Sequence, residues 1–146
     1  MPTYICTAPT GQLSTFQKAG IAKEITRVHS EVTGAPGFFA QVIFNEVQEG
    51  NYFLGGAPLH SSHVFVHGNI RAGRGAQEKL RLLTTLVDVI AHAAGLPKRH
   101  VWVYVEDLPA RQLAEYGLVL PEPGEEEGWK SKLSVEDRMH MEKIGS

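Results

Sequence analysis

Proline stands second in this chain, directly after Met1. Once Met1 is removed, as is usual when a small residue follows, Pro2 carries a secondary amine in place of an amide. A free α-amine titrates near ~8 in model peptides, so an accessible terminal proline is a general acid or base at neutral pH. Many chains begin Met-Pro without that use, and the dipeptide therefore needs partners elsewhere in the sequence. Arg71 and Arg74 are the strongest of these. They flank Gly73 at the end of a strand-like run, just where a helical pattern begins, and the free N–H groups of a helix start add a positive dipole end. Two guanidinium forks at such a place make an anion site, and the anion that suits it is a small carboxylate. Gly73 and Gly75 would let the ligand approach the backbone; arginines in a turn are otherwise simply solvated.

His29 lies four residues after Ile25, at the margin of a helix's apolar stripe, where a lone histidine ordinarily packs and hydrogen-bonds to backbone. Tyr104 and Glu106 point to one face of a late strand, and Glu115 follows. A phenol and a carboxylate together can orient and deprotonate a water, and position does not choose between Glu106 and Glu115. His60, His63 and His67 form an H-x2-H-x3-H series. No Asp or Glu lies near to complete or orient a metal site there, so these are read as strand histidines at an interface and no metal is assigned.

The elements that hold these residues follow from periodicity. Residues 2–7 read as a strand, ended by the turn Ala8-Pro9-Thr10-Gly11. From a cap at Ser14 or Thr15, apolar residues recur at Phe16, Ile21, Ile25, Val28 and Val32 until Gly34 and Pro36 stop the helix. Residues 38–47 are β-branched and aromatic on both faces, which predicts a strand central in its sheet. A short strand at Tyr52-Phe53-Leu54 leads to a loop at Gly55-Gly56 and Pro58. A second unit then begins: a strand at 63–70, a turn at 71–75, and a helix over 76–94 carrying Leu80, Leu83, Leu86, Val87 and Ile90, ended by Gly95 and Pro97. Residues 100–108 alternate strictly, with Val101, Val103 and Val105 on one face and Trp102, Tyr104 and Glu106 on the other. Residues 109–117 read as a short helical turn, and the tail from Leu118 as a segment that packs on a neighbour or frays.

Strand, helix, strand therefore occurs twice, at an offset of roughly 60 residues, and right-handed crossovers put both helices on one side of the sheet. The predicted fold is α/β, an α+β two-layer sandwich: a doubled βαβ repeat of four main strands with two helices on one face. It forms one domain over residues 1–146, with repeat one at about 2–58, repeat two at about 59–117 and the tail at about 118–146. The uncovered face bearing Trp102 and Tyr104 predicts a symmetric oligomer.

A chain of 146 residues can bury a core without metals or disulfides, and with Cys6 as its one cysteine it can form no internal disulfide. A formal charge of −2 with no basic patch argues against a nucleic-acid partner. The start lacks the basic and apolar regions of a leader and no apolar run approaches the ~20 residues that span a bilayer, so a cytoplasmic location is expected, with no membrane partner.

The whole set resembles the tautomerase superfamily, and within it the cis-3-chloroacrylic acid dehalogenase group. The resemblance is carried by the Met-Pro start, the doubled βαβ, Gln41-Val42, residues 51–56 (NYFLGG), Phe65-Val66-His67-Gly68, Arg71-Ala72-Gly73-Arg74, Val101-Trp102-Val103-Tyr104, Glu115-Tyr116-Gly117 and Pro121-Glu122-Pro123-Gly124. By that similarity Pro2 is the catalytic proline, His29, Arg71 and Arg74 bind substrate carboxylate, and Tyr104 with Glu115 activates water. The resemblance implies a homotrimer and a cofactor-free hydratase or dehalogenase acting on small α,β-unsaturated carboxylates. The alternatives within the same resemblance are an enol-keto tautomerase with incidental hydration, and a non-enzymatic trimeric binding protein.

Overall fold

The computed structural model describes residues 2–145, so the removal of Met1 lies outside the described residues. In chain order the elements are β1 (Thr3–Pro9), α1 (Thr15–Thr33), β2 (Gln41–Val47), β3 (Phe53–Leu54), β4 (Ala57–Pro58), β5 (Val64–Arg71), α2 (Ala76–Ala94), β6 (Val101–Leu108), β7 (Ala114–Glu115), β8 (Leu118–Val119), α3 (Glu126–Lys130) and α4 (Val135–Lys143). β1 and β2 pair in parallel, as do β5 and β6, and β1 joins β5 antiparallel, giving the sheet order β2-β1-β5-β6. Two βαβ units thus meet back to back at the centre of a two-layer α+β sandwich, as the repeat in the sequence predicts.

Alternation decides which strand residues enter the core. Tyr4, Cys6 and Ala8 of β1 and Val64, Val66 and Ile70 of β5 are buried against Ile21, Ile25 and Val28 of α1 and Leu82, Leu86 and Ile90 of α2. Phe16 and Leu80 lie outside this seam and are exposed. Both helices end as their glycines require: Gly34 (φ 75°) and Gly95 (φ 67°) sit in the left-handed region and donate back to the last turn. α1 begins at Ser14, whose hydroxyl accepts from the Gln17 amide while the Gln17 side chain accepts from the Ser14 amide. β1 runs through Pro9, two residues beyond expectation. Its pairing with β5 stops at Thr7, so the absent proline N–H costs no ladder bond.

Four expectations are corrected. β2 is an edge strand rather than a central one, and it starts at Gln41. Phe38 and Phe39 belong to a 3-10 turn (Gly37–Phe39) that packs under the C-terminal tail, so their apolar character reports that contact rather than a sheet interior. Glu115 lies on the β7–β8 hairpin, not on a helical turn, because Tyr116 (φ 53°) and Gly117 (φ 78°) both take the left-handed conformation of a two-residue hairpin loop. The tail folds onto its own chain: Leu120, Trp129, Leu133 and Met141 form a second cluster with Phe39 and Ala110. Its apolar residues come too sparsely for a helical stripe to be read before their docking site is known.

The sheet face away from the helices carries Ile43, Phe65, His67, Trp102 and Tyr104, and of these Trp102 and Tyr104 are 40% and 54% exposed. None of the helices in the described residues is long and apolar enough to cross a membrane.

Candidate active site

The antiparallel β1–β5 pairing brings the start of β1 beside the end of β5, since Thr3 faces Asn69. Pro2 is therefore set at the same end of the sheet as Arg71, and it is buried. The Gln41 amide donates to the Pro2 carbonyl (2.9 Å), which ties the terminus to the segment that follows Phe39. At this end a cavity of about 210 Å³ is lined by Thr33, Pro36, Phe39, Arg71, Arg74 and Trp129, among others. That is room for an acid of a few carbon atoms and far less than a nucleotide fills.

Arg71 is 5% exposed. It donates from Nη1 to the Pro121 carbonyl and from Nη2 to Glu126 Oε1, each at 2.7 Å, while its Nε is buried without a partner among the described residues. The Arg71 guanidinium holds the Glu126 carboxyl below the usual carboxylate range. Arg74 donates from Nη1 to the Thr33 carbonyl (2.7 Å) and has no carboxylate partner among the described residues. It thus covers one of the orphan carbonyls at the end of α1 and keeps an unneutralised charge at the cavity. Gly73 (φ 118°) serves a purpose other than ligand approach. A Cβ there would stand 2.7 Å from Pro123 Cγ, so the glycine admits the tail that caps the site.

His29 is 4% exposed, and its Nδ1 lies 2.8 Å from the Tyr4 hydroxyl. The expected partner of this histidine was backbone; the actual one is a buried phenol. Burial, and secondarily the Arg74 charge, lower its pKa to about 4, so it is neutral at neutral pH. Glu115 stands next to Tyr116, whose hydroxyl donates to the Phe38 carbonyl (2.8 Å) and whose ring meets Phe39 edge-on at 5.9 Å. The β7–β8 hairpin is thereby fixed to the cavity wall.

Pro2, Arg71 and Arg74 accordingly lie at one end of the sheet, His29 is near enough to Arg74 to feel its charge, and the hairpin that bears Glu115 is joined through Tyr116 to the Phe38–Phe39 turn. Tyr104 does not join them within the chain. It stands on the open face of β6 against Phe65 and His67, four residues before Leu108, which is the partner of Arg71. At the usual strand rise that is about 13 Å along the sheet. Glu106 shares the open face and faces His67 Nε2 at 3.3 Å. His63 packs between Tyr52 and Trp102, and among the described residues no group of three His, Cys, Asp or Glu side chains is placed to hold a metal.

Sequence reasoning missed Tyr4, Gly68 and Glu126. Tyr4 shares the face of Pro2 by strand alternation, and a glycine inside a strand marks a close approach; those signals were present. Glu126 carried none, since a carboxylate in an acidic run looks solvated until its arginine is known.

A doubled βαβ sandwich with a small arginine-lined pocket at the end of the sheet where β1 begins is the architecture of a tautomerase-fold protein. Residues 1–134 match the family model described as "Putative oxalocrotonate tautomerase enzyme". The crystal structure of N1, described as a member of the cis-3-chloroacrylic acid dehalogenase (cis-CaaD) family, is similar at 36% identity and TM-score 0.93, over 97% of this chain and 99% of that one. Native Ps01740 is similar at 33% identity and TM-score 0.73, over 77% of this chain and 99% of that one. A fused 4-OT described as an asymmetric trimer shares the fold at 24% identity and TM-score 0.74, over 80% of this chain and 94% of that one. None of the curated proteins matches the sequence. The chain belongs to the tautomerase superfamily of enzymes, within its cis-3-chloroacrylic acid dehalogenase group.

Proposed function

We propose that this protein adds water, without a cofactor, to small α,β-unsaturated carboxylates such as cis-3-chloroacrylate, using Pro2 as general acid. The observation that carries this reading is the small cavity with two arginines at the end of the sheet where Pro2 lies. Arg74, whose charge has no carboxylate counterpart among the described residues, and the unpartnered Arg71 Nε are donors suited to a substrate carboxylate. As water adds to C3, negative charge spreads from C2 onto that carboxylate, where fixed cations stabilise the transition state more than the ground state. Glu115 takes the water proton, and the Pro2 ammonium delivers a proton to C2. With chlorine on C3, the product is a chlorohydrin that collapses to malonate semialdehyde and hydrogen chloride.

Tyr104 enters this scheme from a second copy of the chain. Its exposed position on the open face, about 13 Å along the sheet from the cavity end, suits packing of that face against a neighbouring subunit's site in a homotrimer. The fused 4-OT relative, described as a trimer, supports that assembly. A second reading is favoured by the same geometry: the groups gathered within one chain, a proline nitrogen and an anion pocket, are those an enol-keto tautomerase needs, with no water to activate.

Intact mass and one variant test the proposal. Active protein should lack Met1, and Pro2→Ala should lose at least about a hundredfold in hydration, the lower range for general acid–base catalysis. Active preparations that retain Met1 stoichiometrically, or a fully active Pro2→Ala protein, would remove the proline from the mechanism.

A further inference from the structure

We propose that Tyr4 is a positioning residue for His29: its buried hydroxyl donates to Nδ1 and holds the imidazole in the neutral Nε2–H form. The inference rests on the reading of this cavity as a carboxylate site, and it changes what His29 brings to it, from a third positive charge to an uncharged, oriented N–H donor.

The argument begins with the ring. Tyr4 is fully buried, and its register partner in β5 is Gly68. A Cβ on residue 68 would stand 2.4 Å from Tyr4 Cε1 and 2.7 Å from Cδ1, so the phenol lies flat across the strand where only glycine leaves room. This fixes the hydroxyl beneath α1, at 2.8 Å from His29 Nδ1, with the two rings edge-on at 5.7 Å between centroids. The phenol carries one proton, and Nδ1 is its hydrogen-bond partner among the described residues. If Nδ1 carried the proton instead, the phenol hydrogen would be left buried and unpaired, which costs more than the bond returns. Donation from Tyr4 satisfies both groups, and a histidine whose Nδ1 accepts must carry its proton on Nε2. Burial raises the Tyr4 pKa, so the phenol keeps its proton, and it lowers that of His29 to about 4. Pro2 precedes β1 and lies two residues before Tyr4, so strand alternation puts both on one side of the sheet, at the end where the reaction is proposed to take place.

The test reads the imidazole itself. Nitrogen-15 spectra of the wild-type protein should show His29 with an unprotonated Nδ1 and a protonated Nε2 throughout the neutral range. A protonated Nδ1, or an imidazolium at neutral pH, overturns the inference, and this result does not depend on any variant folding. Tyr4→Phe keeps the ring over Gly68 and removes only the hydroxyl. It should move the Nδ1 resonance and lower kcat/KM for an unsaturated acid by about tenfold, with KM carrying part of the loss. A folded Tyr4→Phe protein with unchanged His29 resonances and unchanged kinetics refutes the positioning role. Failure of the wild type to turn over any unsaturated acid or enol would instead refute the proposed function, while the tautomer would still be decided by the spectra.

Discussion

If Tyr104 serves the site of a neighbouring copy, two inactive variants should repair each other. Tyr104→Phe removes the phenol and Glu115→Gln the carboxylate, and loss of general-base assistance typically costs ~10²–10⁴ in rate. The strand geometry decides what mixing does. Tyr104 is 54% exposed on the open face, roughly 13 Å along β6 from the residue that pairs with Arg71, so a side chain about 6.5 Å long cannot reach the cavity of its own chain. In a cyclic trimer each site would take Glu115 from one subunit and Tyr104 from the next. Random assembly from equal amounts of the two variants pairs an intact Glu115 with an intact neighbouring Tyr104 at about one quarter of the sites. Co-expressed or co-refolded protein should therefore recover about a quarter of wild-type hydration, at least tenfold above either variant alone. If both residues acted within one chain, every subunit would carry a defect and mixing would recover nothing. That null result in well-folded trimers would refute the shared site, as would a Tyr104→Phe protein that is fully active by itself.

Within each site, Glu115→Gln should separate two activities: hydration and dehalogenation should fall by ~10²–10⁴, while ketonisation of an enol acid, which needs no activated water, should fall far less. Equal loss of both would move Glu115 from water activation to a structural or electrostatic role. The two arginines should also part. Arg74→Ala should cost at least about tenfold in kcat/KM and, since it frees one part-buried carbonyl at Thr33, less stability than Arg71→Ala, which strands both Glu126 and the Pro121 carbonyl and should lower urea stability by about 1.5–3 kcal/mol as well. Equal melting of the two variants would contradict the strut role of Arg71. Acid titration should report His29. Its folded pKa lies at about 4 against an ordinary histidine value of 6.5, so the unfolded chain binds its proton first; stability is full above about 6.5 and declines as pH falls toward 4, by on the order of 3 kcal/mol. A His29→Gln variant should lose less stability over that window, and identical acid profiles would show that the imidazole is not held neutral.

The doubled βαβ was legible because its signals are local and repeated. Ile21, Ile25 and Val28 mark one helix face, Val101, Val103 and Val105 one strand face, and Gly34 and Gly95 stop their helices with the same left-handed cap. The placing of Arg71 and Arg74 together at a strand end was legible for the same reason, since turn, glycine and helix start lie within a few residues. Long-range pairings were not readable. Nothing in the run 38–47 says that its aromatics leave the strand to meet Trp129, and nothing near Gly73 says that the ring it makes room for is Pro123. Tyr104 shows a different limit. Alternation assigns it correctly to the face opposite the core, but a single chain holds no record of what covers that face.

The charges around the cavity bear on what it can hold. Arg71 is matched by Glu126 at 2.7 Å, and Lys130, which also lines the cavity, lies 3.2 Å from Glu127. His29 is neutral, so Arg74 is left as the cation without a carboxylate counterpart among the described residues. One carboxylate completes that balance. On the proposed reading a second carboxylate in so small a space would lie close to Glu126 with no further arginine to meet it, and pairing with the Pro2 ammonium would engage the proton the reaction uses; an uncompensated charge in a largely desolvated pocket costs several kcal/mol. On the proposed reading the tail would be part of the chemistry as well as of the fold: by pairing Arg71 with Glu126 it would leave Arg74 as the arginine free to meet a short substrate carboxylate, with the reacting carbons toward Pro2.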